Sequence, residues 1–327
     1  MPFSSHSVCG STTIAKVGTK IVAGIGISTF VIAAGAVLLY RAPSHAAFPR
    51  LALTRDSHCS VAGAWRAIDG FARLWDRIGD ISDSMELTQT DAAGYELAVV
   101  EPRQFWIPRG NRLALAEVLG EQEEDVYALH GRGVRAGDVV LDCGANVGAF
   151  SRHALEAGAR LVVAIEPSPE NVECLRRTFA GEIRDGRMIL YPKGVWDRED
   201  KLVIRRIGGQ SGGSSVALKF AGSEAGPTVP LTTIDKLVEE LRLDRVDYIK
   251  MDIEGAEKRA LAGAKATVAR FKPRMAISME HLPDDVEAIP AVIERLWPGS
   301  KTECGPCVWV KTGLVNAVRP DVVFVSR

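Results

Sequence analysis

The run Val139-Val140-Leu141-Asp142-Cys143-Gly144-Ala145-Asn146-Val147-Gly148 restricts this chain more than any other stretch. Val139–Asp142 is apolar, β-branched and too short for a helix, and a glycine-containing turn closes it, so it reads as a buried strand. Gly148–Ala157 then has helical patterning, Leu161–Ile165 repeats the strand pattern, and Pro169–Phe179 reads as the next helix. A strand-turn-helix-strand order of this kind gives parallel strands joined by a covering helix. In such sheets ligands bind beyond the carboxyl ends of the strands.

The identity of the ligand follows from what the turn lacks. Dinucleotide sites use G-x-G-x-x-G to bring backbone amides against a pyrophosphate. Here Gly144 and Gly148 are spaced G-x-x-x-G with Asn146 between them, so that fingerprint fails. S-adenosylmethionine has no phosphate but carries an amino group, a carboxylate and a sulfonium cation. Asp142 at the strand edge is expected to face its positive end, Gly144 to let the methionine portion pass, and Asn146 to bond the ligand or pin the loop. Glu166 ends the second strand in Ala164-Ile165-Glu166-Pro167, where an acid can accept from both ribose hydroxyls. Trp196, after the next strand, is expected either to flank an adenine or to fill the core. Cys143 faces the other side of its strand and is expected in the core.

From Gly137 onward the alternation continues through Met188–Tyr191, Ile234–Leu241, Asp247–Met251, Gly255–Ala262, Arg274–Met279 and Asp284–Leu296, interrupted by a Gly/Ser-rich insertion at Gly208–Ser215. Val308–Lys311 and Asp321–Val325 are expected as an adjacent antiparallel pair. The fold predicted is α/β, a Rossmann-like class I methyltransferase with a mostly parallel seven-stranded sheet and an antiparallel C-terminal hairpin. Its domain occupies 104–327, preceded by a helical linker and cap over 41–103; within the connecting stretch from Arg41 to about Ala136, Val61–Ile81, Leu113–Leu119 and then Glu121–Leu129 are expected as helices, and Tyr95–Val100 with Gln104–Ile107 as a short strand pair. Residues 1–20 form a polar tail. Residues 21–40 run without a charge, and twenty helical residues cover roughly 30 Å, the thickness of a bilayer core. A single-pass anchor is expected there; a cleaved signal peptide and a buried helix are the alternatives.

Lys+Arg number 40 and Asp+Glu 41, which supplies no field for gripping nucleic acid and favours a small acceptor. The six cysteines lack framework spacing, so reduced thiols are expected, and Cys304-Gly305-Pro306-Cys307 reads as a turn because a strand, not a helix, follows it.

With these residues in view the sequence resembles the FkbM-like methyltransferases. The resemblance rests on Gly137–Gly148, Ala164–Pro167, Leu231-Thr232-Thr233-Ile234-Asp235 and Asp247-Tyr248-Ile249-Lys250-Met251-Asp252-Ile253-Glu254-Gly255-Ala256-Glu257, and covers roughly residues 104–285. It implies an S-adenosylmethionine-dependent O-methyltransferase acting on hydroxyls of sugars, glycolipids or polyketide-like molecules. Asp252, Glu254 and Glu257 in one motif and Glu280 beside His281 are the candidates for removing the hydroxyl proton; Asp252, Glu254 and His281 are preferred, His281 because its ordinary pKa suits a base near neutrality, with Asp252 also a cofactor contact. The preferred three offer ligands for a divalent ion, which an activated sulfonium does not require. S-adenosylmethionine is cytosolic, so the catalytic domain is expected on the cytoplasmic face, with a lipid-linked acceptor reached through the anchor. A nicotinamide-dependent oxidoreductase and a catalytically silent, membrane-tethered binding module remain the alternatives.

Overall fold

The computed structural model describes residues 48–207, 210–215, 217, 224–311 and 315–327. The expected anchor at 21–40 lies outside them, and among the described residues no helix is long and apolar enough to cross a membrane.

Helix α1 (Phe48–Thr54) leads to α2 (Val61–Ser84), which starts at Ser60, whose hydroxyl accepts the Gly63 N–H at 2.9 Å as an N-cap. The face of α2 carrying Ala64, Ala67, Ile68, Ile78 and Ile81 is buried. A meander of β1 (Glu86–Thr90), β2 (Tyr95–Val100) and β3 (Arg103–Pro108) follows. The sequence predicts only the last two of these strands; all five β1 residues are exposed and carry no alternation to read. Helix α3 (Arg112–Glu123) continues through Gly120, where the sequence predicts a break. A Cβ there would stand 3.1 Å from Ile78 Cγ1, so this glycine serves the close approach of α2 and not a helix end.

The predicted alternation is present as β4 (Val139–Cys143), α4 (Ala149–Glu156), β5 (Leu161–Ile165), α5 (Pro169–Thr178), α6 (Ala180–Arg184) and β6 (Met188–Tyr191). The Gly/Ser-rich insertion belongs to a small second sheet of β7 (Gly194–Val195), β8 (Asp200–Ile207), β9 (Gln210–Ser215) and β10 (Glu224–Thr232). Then come α7 (Ile234–Glu240), β11 (Tyr248–Met251), α8 (Glu257–Ala262), α9 (Lys265–Phe271), β12 (Arg274–Ser278) and α10 (Asp285–Leu296). The chain ends in β13 (Lys301–Cys304), β14 (Cys307–Lys311), β15 (Asn316–Pro320) and β16 (Val322–Ser326).

The main sheet has the order β13-β16-β12-β11-β4-β5-β6, and β16 runs against both of its neighbours. It is the Rossmann-like methyltransferase fold with a mostly parallel seven-stranded sheet. The C-terminal pairing differs from the sequence expectation. Strand β16 lies antiparallel between β12 and β13, while β14 pairs with β15 in a separate hairpin inserted between β13 and β16 in the chain. Val322–Val325 is buried residue after residue, as a strand covered on both faces must be, whereas Cys307–Trp309 is only half-buried and finds its partner outside the sheet. The expectation of reduced thiols also fails, for Cys59, Cys304 and Cys307 are all disulfide-bonded. Cys59, just before α2, is bonded to Cys307 at the start of β14, with Cα atoms 5.9 Å apart across 248 residues of sequence. Leu51, Ala64, Ala67, Ile68 and Val318 pack around that bridge. Cys143 and Cys174 are buried free thiols.

Candidate active site

The order of strands reverses between β4 and β11, the topological switch point at which doubly wound sheets leave a crevice. A cavity of about 410 Å³ opens there, of a size that holds a small molecule. Gly144–Asn146 after β4 and Glu166 after β5 form one wall, and Asp252 and Glu254 after β11 another. Glu280 and His281 after β12 complete the carboxyl edge, while Glu117, Glu121 and Tyr127 reach in from α3 and the segment behind it.

Of the residues singled out by sequence, Gly144, Asn146, Glu166, Asp252, Glu254 and His281 line this cavity, and Asp142, Gly148 and Trp196 do not. Asp142 lies fully buried beneath it. Register places it beside Lys250 on the adjacent parallel strand, so both side chains emerge on the same face. Asp142 Oδ2 accepts the Ser151 hydroxyl at 2.6 Å, and Lys250 Nζ stands 3.5 Å from Oδ1. Burial acts against the ammonium, but Asp142 and Asp252 together hold Lys250 above its usual pKa. The amine donates to the Gly144 carbonyl at 3.0 Å and reaches within 4.0 Å of Asp252. Asp142 thus anchors the residue that touches the cavity and is itself one layer removed from it.

Glycine 144 has a packing reason of its own. Its φ is +81°, and a Cβ would meet the Asp252 carbonyl oxygen at 1.9 Å. We expect Gly144→Ala to destabilise the fold by roughly 2–4 kcal/mol, the sum of left-handed strain and a backbone clash, read as a lower urea midpoint with unchanged slope. A midpoint equal to that of the parent chain would show that the two loops separate freely. Gly148 likewise packs on Phe179, whose ring a Cβ would meet at 2.3 Å. Trp196 lies among Ile204, Val229, Leu231 and Ala256, with the Arg259 guanidinium 5.4 Å above its ring.

Glu166 is held by its two oxygens. Oε2 accepts the Asn146 N–H and Oε1 the Ser168 N–H, each at 2.9 Å. Asn146 contributes that backbone group from a left-handed conformation, φ +51°, which Asn tolerates better than most residues. Burial nevertheless pushes Glu166 up to about 7. Beside it Asn171 lines the cavity, with its Oδ1 buried and without a hydrogen-bond partner.

The opposite wall is a cluster of acids around one imidazole. His281 Nε2 stands 3.4 Å from Asp252 Oδ1 and 3.6 Å from Glu254 Oε2, and Nδ1 stands 3.1 Å from Glu257 Oε1. Burial opposes charge on the ring, but Glu257, Glu254 and Asp252 outweigh it and raise His281 well above its ordinary value. The reason given by sequence for His281 as the base, an unperturbed pKa, therefore does not hold, and the ring is an imidazolium near neutrality. Burial also opposes ionisation of Asp252, yet Lys250, His281 and the Tyr127 hydroxyl, which donates to Oδ2 at 2.8 Å, keep its carboxyl below the usual range. Burial pushes Glu254 up to about 8, with Asp252 adding to the effect and His281 opposing it. Ligand atoms of Asp252, Glu257 and His281 fall within 4.8 Å of one another. Each imidazole nitrogen faces a carboxylate, however, which is the pattern of ion pairs, whereas a metal ligand needs a bare nitrogen lone pair.

Sequence reasoning missed Tyr127, Glu117 and Glu121. Tyr127 is fixed from below by the Tyr248 hydroxyl, which donates to its carbonyl at 2.5 Å, and its side chain meets Asp252 across 125 residues of sequence. No local pattern announces such a contact. Glu117 and Glu121 are four apart on α3 and share a face, a spacing that would have placed them together but not at this cavity.

Comparison with known proteins bears on the same region. A curated protein, 31-O-demethyl-FK506 methyltransferase FkbM of Streptomyces tacrolimicus, is 28% identical over 168 residues, covering 42% of this chain and 64% of that protein. The chain thus spans less than two thirds of that relative. Among solved structures, methyltransferase FkbM from Methylobacillus flagellatus KT aligns with TM-score 0.43 and 17% identity over 79% of this chain and 60% of that one. TYW2 from M. jannaschii, in complex with AdoMet, aligns with TM-score 0.38 and 13% identity over 71% of this chain and 85% of that one. The family model described as the Methyltransferase FkbM domain matches residues 142–305, from the acid at the end of β4 to the turn after β13. That match takes in half of the chain and every strand end that builds the cavity, and the chain belongs to the FkbM methyltransferase family.

Proposed function

We propose that this protein is an S-adenosylmethionine-dependent O-methyltransferase whose acceptor is a hydroxyl on a sugar, glycolipid or polyketide-like molecule. The observation that carries the reading is the division of the cavity. One end holds Glu166 and Asn171, buried acceptors suited to a nucleoside, and the other holds the Asp252, Glu254 and His281 cluster suited to moving a proton. Each Glu166 oxygen is engaged by one backbone N–H and keeps a lone pair for a ribose hydroxyl, and the Asn171 oxygen awaits a donor. The surplus of acids also suits a sulfonium and an ammonium.

S-adenosylmethionine supplies the methyl group and departs as the neutral thioether. The chain's part is to hold acceptor oxygen, methyl and sulfur in line, which alone accounts for as much as ~7–11 kcal/mol of barrier in favourable cases. As the oxygen–carbon bond forms, the hydroxyl hydrogen becomes acidic and passes to a carboxylate. Glu254 fills that role best because its elevated pKa lies near the working pH. His281 and Lys250, both cationic, keep the neighbouring Asp252 ionised. The uncharged run at 21–40 supports a membrane anchor and a lipid-linked acceptor.

Incubating the full chain with membrane extract and methyl-labelled S-adenosylmethionine should give a labelled ether-bearing lipid or glycan. Label recovered only on amines or carbons would overturn O-methylation, and equal turnover of a soluble sugar nucleotide by a form lacking residues 1–47 would overturn the lipid-linked acceptor. A further expectation concerns pH. Ribose hydroxyls donate to ionised Glu166, which with a pKa of about 7 passes from mostly protonated to mostly ionised between pH 6 and 8. Cofactor affinity should therefore rise by about tenfold over that interval, and Glu166→Gln should flatten the dependence in calorimetric titrations.

A further inference from the structure

We infer that Glu257 is a positioning residue for methyl transfer, its buried carboxylate tying the turn that presents Asp252 and Glu254 to the ring of His281. The inference rests on the functional reading above, but its geometry stands apart from it. Glu257 opens α8, is 1% exposed and does not line the cavity, so it touches neither acceptor nor cofactor. Its Oε1 reaches back over the turn before the helix and accepts the Ile253 N–H at 2.9 Å and the Gly255 N–H at 3.4 Å. That turn is held in an unfavourable backbone conformation, with Glu254 at φ +55° and Gly255 at φ +91°. A non-glycine residue stays there only when its surroundings over-determine it. The same oxygen lies 3.1 Å from His281 Nδ1.

One carboxylate oxygen therefore joins two loops that follow neighbouring strands, β11 and β12. It supplies the anion against which the ring keeps its proton, while Nε2 points at Asp252 and Glu254; the contact at Nδ1 is an ion pair and not an aligned hydrogen bond. A carboxylate behind a histidine commonly raises its basicity in this way. Among the described residues no other carboxylate pairs with Nδ1, since Asp252 and Glu254 face Nε2.

The test uses Glu257→Gln, which keeps an acceptor oxygen for the two backbone N–H groups and loses the charge. The full chain is labelled with ¹⁵N-histidine and the His281 resonance assigned by its loss in His281→Gln. In the parent chain the ring should hold its proton well above the range of an ordinary histidine; in Glu257→Gln it should lose its proton at least one pH unit lower than in the parent. Label transfer to the extract acceptor at saturating cofactor should fall about 10–100-fold, with cofactor affinity unchanged within about threefold. Glu257→Ala, which also frees the turn, should in addition lower the melting temperature. A Gln variant with an unmoved His281 resonance, or with the parent rate of transfer, would overturn the inference and leave Glu257 a turn-holding residue. Because the resonance is read without acceptor or turnover, a chain that failed to methylate any hydroxyl would sink the functional reading while leaving this measurement decisive.

Discussion

Glu254→Gln is expected to lower the rate constant for methyl transfer by about 10²–10⁴-fold while leaving S-adenosylmethionine affinity within a few fold. The side chain lines the cavity, half-buried, from a left-handed backbone position, and the substitution preserves its shape. A base works unprotonated, so the rate in the parent chain should climb as pH rises through about 8, the value to which burial pushes this carboxyl, and level off above it. The stability consequence has the opposite sign. Unfolded, the group has the ordinary glutamate value of 4.5; folded, it keeps its proton to about 8. Between those values the folded chain binds more protons than the unfolded chain, so this residue's contribution to stability declines as pH rises, and Glu254→Gln should remove that slope. Single-turnover rates across pH 6–9, paired with thermal melts, separate the two. A Gln variant that retained the rise in rate near pH 8 would assign the base elsewhere in the cluster.

Lys250→Met should destabilise the fold by about 3–5 kcal/mol, because it strips a fully buried carboxylate of its cation. Asp142 would retain only the Ser151 hydroxyl, and burial already raises its pKa despite Lys250. A loss of that size lowers the melting temperature by roughly 10 °C in a domain of this length. Adding Asp142→Asn should recover much of the loss, since the uncompensated charge, and not the missing amine, is the costly part. Circular dichroism melts of the parent, single and double variants test both statements. A double variant as unstable as the single one would show that Lys250 acts through its bonds to the Gly144 carbonyl and to Asp252 instead.

What was readable in advance follows the range over which each feature is encoded. The β4 turn, Glu166 and the Asp252–Glu257 run are local patterns, each a strand end plus its first loop residues, and the structure gathers Asn146, Glu166, Asp252, Glu254 and His281 at one cavity. Asp142 shows the limit of such reading. An acid at a strand's end was expected to face the ligand, but its neighbour across the sheet is Lys250, and that cation takes the carboxylate inward. Register between strands more than a hundred residues apart has no signature in either segment alone. Tyr127, the β13–β16 pairing and the cysteine bridge fail to show for the same reason. The charge on His281 was misjudged because it depends on three carboxylates converging from another loop and helix.

The bond between Cys59 and Cys307 makes the chain from 59 to 307 a covalent ring. Proteolytic nicking within that ring would leave both pieces on one molecule, separable on a gel only after reduction. It also couples motions. Helix α2, which braces α3 and its Glu117 and Glu121, is stapled to the hairpin that carries Lys311, so the bridge limits how far these two parts of the cavity rim can separate.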